Sequence, residues 1–254
     1  MRRSGARRDA ILAALAAGET DVDGLAARFG VSPSTIRRDL QHLSARRAIA
    51  RTYGGAILAQ PAEEQSLLAR EGINRAAKAA IAAAALDLVP EGETLILDGG
   101  STVEAFARLL RGRRHRIITN NLALIPMLAD APGIELLVLG GAVRPISMST
   151  AGPLAEAALR CLTADRLLTS ADGLVPGLGL CEATLEQVSL KSLMMRRAAA
   201  VTVLADASKL GRTGQPCWAP LPARWTLVTD AAAEVAEGFV AEGARVVVAR
   251  VLAE

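Results

Sequence analysis

From Thr94 onward, short apolar runs alternate with helix-forming stretches, and this alternation limits the fold more than any other feature of the chain. The runs TLILD, RIIT, IELLVLG, RLLTS, AVTVLAD, WTLVTD and RVVVARV read as strands. Between several of them lie helical segments near 103–110, 122–129, 154–159, 183–198 and 232–242, and the alanine-rich stretch NRAAKAAIAAAALDLV precedes the first strand as a strong helix former. Strands that alternate with helices form a mostly parallel sheet covered on both faces. The expectation is therefore a large Rossmann-like α/β domain over residues 74–254.

The first 58 residues follow a different pattern. RRDAILAALAAG places Ile11, Leu12 and Leu15 at helical spacing and stops at Gly18. In DVDGLAARFG, Asp21 is an N-cap candidate, Leu25 and Phe29 lie four apart, and Gly30 terminates the helix. Ser32 then caps a third helix whose first position is Pro33, where a missing N–H does no harm. On that helix Ile36, Leu40 and Leu43 form the inward stripe, Ser34, Arg38 and Gln41 point away from it, and Thr35 and Arg37 flank them. Two helices joined by a tight glycine turn, the second with a polar and basic outer face, have helix-turn-helix geometry. AIARTYGGAIL, with two β-prone runs around Tyr53-Gly54-Gly55, reads as a β-hairpin wing. Residues 1–58 are thus read as a small winged helix-turn-helix domain. The polar, proline-containing residues 59–73 are read as a linker.

Composition narrows the function. Residues 1–53 carry ten arginines against five acidic residues, so the net charge of +3 leaves the remainder at about −2 and marks the N-terminal part for a polyanionic partner. No run approaches the roughly 18 uninterrupted apolar residues of a membrane span, and the basic N-terminus lacks a signal-peptide core, so the expected location is the cytoplasm. Cys161, Cys181 and Cys217 are widely spaced and odd in number, which fits reduced, mostly buried thiols. Two histidines, His42 and His115, both expected at the surface, leave no material for a histidine metal centre or a Ser-His-Asp triad. No metal, cofactor or catalytic residue is expected.

In a helix-turn-helix the second helix enters the major groove. Ser32, Ser34, Thr35, Arg37, Arg38 and Gln41 supply hydroxyl, amide and guanidinium groups there, while Arg51 and Tyr53 on the wing, with Arg2, Arg3, Arg7 and Arg8, suit the DNA backbone. On spacing alone, a solvated face in an arginine-rich protein fits too. In the second domain, TLILDGGSTVEAF passes from a strand through Asp98-Gly99-Gly100-Ser101-Thr102 into a helix. Such a turn offers N–H groups, two hydroxyls and a helix N-terminus to a phosphate. It also occurs in ordinary strand-to-helix turns. Thr119-Asn120-Asn121, Asp172-Gly173 and Asp206 with Ser208 and Lys209 follow other strands, on the rim where α/β sheets bind ligands. Glu186 and Lys191 are expected to face the same cleft.

GLAARFGVSPSTIRRDLQHLSARRAIARTYGGAIL resembles the DNA-binding module of the DeoR family of bacterial transcriptional regulators: Ser32, Thr35, Ile36, Arg37, Arg38, Asp39 and Leu40 match its most distinctive run, and Gly54-Gly55 its wing. The resemblance continues in order through Asp98 to Thr102, Thr119 to Asn121, Gly140-Gly141 with Arg144, Gly152, Asp172-Gly173, Glu186 with Lys191, and Asp206, Ser208, Lys209 and Gly211. It implies DNA reading by the third helix, with Asp39 in an orienting ion pair. It also implies an effector domain similar to ribose-5-phosphate isomerase that binds a phosphorylated sugar through Asp98, Gly100, Ser101, Thr102, Thr119, Asn120, Asn121, Asp172, Lys191, Asp206 and Lys209.

The chain departs from the family pattern at Ser101, where threonine is common, and at Ser170, where glycine is common. The expected protein is a repressor of carbohydrate catabolism genes, a homodimer or homotetramer on double-stranded operator DNA, released by its effector. The competing class is a sugar-phosphate isomerase with a DNA-binding appendage, for which Asp172, Asp206, Lys191 and Lys209 offer acid/base groups. A general nucleic-acid binder is a third.

Overall fold

The computed structural model describes residues 2–16, 21–45, 49–52, 55–58 and 64–251. Three helices, α1 (Arg2–Ala16), α2 (Val22–Phe29) and α3 (Pro33–Ala45), close an N-terminal core around Ile11, Leu15, Leu25, Ile36, Leu40 and Leu43. Asp21 caps α2 through its carboxylate, which accepts the N–H groups of Asp23 and Gly24. At the other end Gly30 takes the left-handed conformation at φ 60°. The Gly30 N–H then reaches the Ala27 carbonyl and the Val31 N–H the Ala26 carbonyl, a Schellman ending that turns the chain within two residues. Ser32 begins α3 by accepting the Thr35 N–H on its hydroxyl.

The antiparallel hairpin of β1 (Ile49–Thr52) and β2 (Gly55–Leu58) follows, with Arg51 opposite Ala56. Tyr53 lies outside the described residues, and Arg51 is placed by its backbone alone.

The C-terminal part begins with α4 (Leu67–Gly72), inside the stretch read from sequence as linker, and α5 (Arg75–Leu86). There follow β3 (Thr94–Leu97), α6 (Ser101–Arg108), β4 (His115–Thr119), α7 (Ile125–Leu128), β5 (Ile134–Val138), the hairpin β6 (Ala142–Arg144) and β7 (Ser149–Ala151), α8 (Pro153–Arg160) and β8 (Ala164–Thr169). The chain continues with β9 (Gly173–Val175), β10 (Gly179–Glu182), α9 (Leu185–Arg197), β11 (Ala198–Leu204), β12 (Cys217–Ala219), β13 (Trp225–Thr229), α10 (Ala233–Val240) and β14 (Ala244–Val248).

The strands read from sequence are those of one parallel sheet ordered β14-β13-β11-β8-β3-β4-β5. Because successive side chains point to opposite faces, Leu95 and Leu97 pack beside α5, α6 and α7 while Ile96 packs beside α8 and α9. Burial on both faces makes the inner strands continuously apolar. Order along the sheet reverses between β3 and β8, where the chain leaves β3 in one direction and later returns on its other side. That switch point opens a crevice beyond the carboxyl ends of the two strands.

Short elements escaped the sequence reading. β12, β10 and β9 form a separate antiparallel sheet, and β6 with β7 a hairpin, each strand only three or four residues long. His115 is buried, contrary to expectation, because the β4 register turns it inward, where its Nδ1 lies 3.1 Å from the Glu93 carbonyl. Cys161 is exposed and Cys181 buried, so the thiols are not uniformly inside. The N-terminal helical unit also touches the larger domain where Thr213, buried, donates to the Leu15 carbonyl at 3.5 Å.

Candidate functional site

On α3 the inward stripe Ile36, Leu40 and Leu43 is buried, and Ser34, Arg37, Arg38 and Gln41 are exposed. Asp39 lies on the inner side, 5% exposed, and accepts from Arg7 Nε at 2.7 Å and Arg8 Nε at 3.2 Å. Arg7 and Arg8, read from sequence as suited to the DNA backbone, pair with Asp39 and tie α3 to α1. The Ser32 hydroxyl lies 2.8 Å from that of Ser34 and 2.9 Å from that of Thr35, so it organises the helix start.

In the larger domain a cavity of about 220 Å³ lies at the switch point. Its floor is the turn from Asp98 to Thr102, where Gly100 adopts φ 135° and leads α6. Ser101 and Thr102 place hydroxyls there beside the α6 N-terminus. The wall adds Asn120 after β4, Ser170 and Asp172 after β8, Asp206, Ser208 and Lys209 after β11, and Lys191 from α9. Thr119 and Asn121 do not line the cavity. The Thr119 hydroxyl donates to the Leu97 carbonyl at 2.6 Å and accepts the Asn121 N–H at 2.9 Å, while the Asn121 carboxamide caps the following turn through the Ala123 N–H. Glu186 is exposed and its neighbour Gln187 faces the cavity instead.

Several lining residues come from segments without a functional signature in the sequence. Glu64, Arg70, Asn74 and Lys78 reach in from the linker, α4 and α5, and Ser147, Ser149 and Thr150 from the β6–β7 hairpin. Asn74 carries a positive φ of 53° that costs a non-glycine residue energy. Its amide donates to Asp206 Oδ1 at 2.9 Å and Ser208 Oγ at 3.2 Å, and it makes no side-chain cap on α5. A backbone strain that ties α5 to the end of β11 is a signal visible only in three dimensions.

Two kinds of charge face the cavity. Lys191 is buried and committed: Nζ donates to Asp98 Oδ2, Thr169 Oγ1 and the Ser170 carbonyl, and lies 3.1 Å from Glu182 Oε1. Burial alone would lower its pKa, but the Asp98 and Glu182 carboxylates together hold it above the ordinary lysine value. One ammonium serves two carboxylates, and burial pushes Glu182 up to about 7 despite Lys191, with Asp172 and Asp98 adding to the rise. Lys191 is therefore neutralised locally.

The other charge is less compensated. Burial lowers Lys78 below the usual lysine value; Asp206 opposes this, and the Lys209 and Arg70 charges add to it. Lys209 is lowered in the same way, by burial first, with Asp172 opposing and Arg212 and Arg70 adding. Arg70, Lys78, Lys209 and Arg212 thus crowd like charges around one cavity. Arg70 Nε, Asn120 Oδ1 and Asp172 Oδ2 are buried without a hydrogen-bond partner among the described residues. Unsatisfied groups of this kind each cost about 1–3 kcal/mol and call for a partner from outside the chain.

These features define a class: a winged helix-turn-helix joined to an α/β domain with a polar ligand cavity at its topological switch point. Residues 73–231 match the DeoR C-terminal sensor domain and residues 7–62 the DeoR-like helix-turn-helix domain. The chain belongs to the DeoR family of transcriptional regulators. It is 34% identical over 205 residues, 80% of this chain and 78% of the relative, to the HTH-type transcriptional repressor CsqR of Escherichia coli (strain K12). It is 32% identical over 209 residues, 81% of each chain, to the transcriptional repressor AccR of Agrobacterium fabrum. The HTH-type transcriptional repressor GlcR of Bacillus subtilis shares 34% over 203 residues, 79% of this chain and 78% of that one.

Among solved structures, ribose 5-phosphate isomerase A from Methanocaldococcus jannaschii overlaps 54% of this chain and 55% of its own at 20% identity and a TM-score of 0.40, too loosely to transfer any chemistry. The relatives are transcriptional repressors, and the isomerase alternative raised by the sequence gives way to a DNA-binding regulator that is not an enzyme. No helix among the described residues is long and apolar enough to cross a membrane.

Proposed function

We propose that the protein represses carbohydrate catabolism genes by binding double-stranded operator DNA through α3, as a homodimer or homotetramer, and is released when a phosphorylated sugar fills the switch-point cavity. The observation that carries this reading is the crowding of Arg70, Lys78, Lys209 and Arg212 around a cavity whose other walls are hydroxyls, amides and carboxylates. An anion adds to the partial compensation that Asp172 and Asp206 give these cations, and a ligand hydroxyl is a donor for Asp172 Oδ2 and Asn120 Oδ1. Ser34, Thr35, Arg37, Arg38 and Gln41 form the DNA-reading face, Ser32 shapes its start, and Arg51 and Tyr53 belong to the wing that contacts the backbone.

Release requires the ligand to bind one conformation better than the other. A thermal-shift panel of pentose and hexose phosphates tests the ligand class, since a ligand at 100 times its dissociation constant adds about 2.7 kcal/mol. The sugar phosphate that shifts the protein should also dissociate it from its own upstream DNA. Lys209→Ala should blunt that response without preventing DNA binding; an identical dose response removes Lys209 from the site. Shifts by unphosphorylated sugars alone would exclude the phosphate.

A further inference from the structure

Arg70 lacks the carboxylate fork that two other partly buried arginines of the larger domain make. Arg166 engages Glu93 as a fork, Nε and Nη2 each 3.0 Å from a carboxylate oxygen. Arg144 engages Glu64 as a second fork, with Nη1 2.6 Å from Oε1 and Nη2 on Oε2. Arg70 makes one loose contact, Nη1 to Asp172 Oδ1 at 3.5 Å, and its Nε is buried without a partner among the described residues. A guanidinium binds best through two parallel N–H groups. This one has a buried Nε free, and its residue lines the cavity.

Its carboxylate partner is equally incomplete. Asp172 is 6% exposed, and its Oδ2 accepts nothing among the described residues. Both members of the Arg70–Asp172 pair therefore hold one atom in reserve on the wall of the same cavity. The geometry points to an exchange, which rests on the cavity taking a hydroxylated phosphate: Arg70 is the residue that grips the ligand's phosphate, and in moving to it leaves Asp172 to accept a ligand hydroxyl.

The position of Arg70 in the chain gives the exchange a consequence. It lies on α4, the first helix after the wing hairpin, and its own carbonyl accepts the Lys78 ammonium from α5. A few residues earlier Glu64 is clamped by Arg144 from β6. Movement of Arg70 toward the α6 N-terminus thus displaces α4 between two fixed anchors, on the segment that connects the two domains. The ligand acts on the linker directly, through a side chain the linker itself supplies.

The test uses the full-length protein and calorimetric titration with ribose 5-phosphate, glucose 6-phosphate and fructose 6-phosphate. For whichever binds the wild type most tightly, Arg70→Gln should weaken binding roughly tenfold or more, the effect of losing a charge-assisted fork. Arg70→Lys, which keeps the charge without the fork, should restore it only in part. Ligand-induced release from operator DNA should fail in Arg70→Gln. Undiminished sugar-phosphate binding by Arg70→Gln, with wild-type binding intact, overturns the assignment of Arg70 alone. Absence of binding by the wild type to all three overturns the ligand class on which it rests. Should Arg70→Gln fold poorly, Arg70→Lys carries the comparison: affinity and release equal to wild type would overturn the fork.

Discussion

Arg7 Nε on α1 lies 2.7 Å from Asp39 Oδ2 on α3, and Arg8 Nε approaches the other oxygen of the same carboxylate at 3.2 Å. The recognition helix is held on its inner side by charge and on the adjoining stripe by Ile36, Leu40 and Leu43. Asp39→Ala should destabilise the protein by about 1–3 kcal/mol, toward the lower figure because both arginines stay about a quarter exposed and regain water. Urea unfolding measures it. An unchanged midpoint would show that packing alone orients α3.

Arg38 is exposed on the opposite side of the same helix. Arg38→Ala should abolish preference for operator over random DNA while changing stability by no more than about 0.5 kcal/mol, the usual range for an exposed substitution. Fluorescence anisotropy with both DNAs decides it. A folded variant with wild-type discrimination removes Arg38 from the reading face.

Gly173 has no room for a methyl group. A Cβ there would stand 2.0 Å from the Arg212 carbonyl oxygen and 2.9 Å from Cys181 Sγ. Gly173→Ala must push aside the loop that carries Lys209 and Arg212 to the cavity and Thr213 to α1. It should destabilise the protein by about 1–3 kcal/mol and weaken sugar-phosphate release of DNA. Wild-type melting together with a wild-type ligand response would contradict this packing.

Glu104 on α6 is 2% exposed, and burial, aided by a shared hydrogen bond and repulsion from Glu71, pushes its pKa up to about 7 from an ordinary 4.5. The folded state keeps this proton up to about pH 7 and the unfolded chain loses it near 4.5. Stability from this group is therefore full below 4.5, declines as pH rises through that window, and is lost above 7. Glu104→Gln, permanently neutral, should flatten the fall in melting temperature between pH 5 and pH 7. Parallel profiles for both proteins would place the titration elsewhere.

Much of the frame was legible because it rests on periodicity. Ile36, Leu40 and Leu43 fall on one helical face whatever they pack against, and TLIL or WTLVT is apolar enough to declare a buried strand by itself. The cavity was legible where a strand ends in a polar turn, as at Asp98 to Thr102 and Asp206 to Lys209. It was illegible where the partner is distant in sequence. Arg70 in a polar stretch and Lys78 on an alanine-rich helix carry no local mark, and only the return of β8 beside β3 brings Asp172 to Arg70. Thr119 and Asn121 failed as site residues for the complementary reason: at a strand end, a hydroxyl and an amide find backbone partners within a few residues. Arg7 and Arg8 were read as groups for DNA because nothing local identifies Asp39 as their partner.

The reversal of strand order between β3 and β8 has a bearing on how the protein is made. β3 pairs on one side with β8, Leu95 opposite Arg166, so the sheet cannot close around its switch point until most of the chain has left the ribosome. Among the described residues, the core of the helical unit is drawn from residues 11–43. During synthesis the part that reads DNA is complete long before the part that can be told to let go.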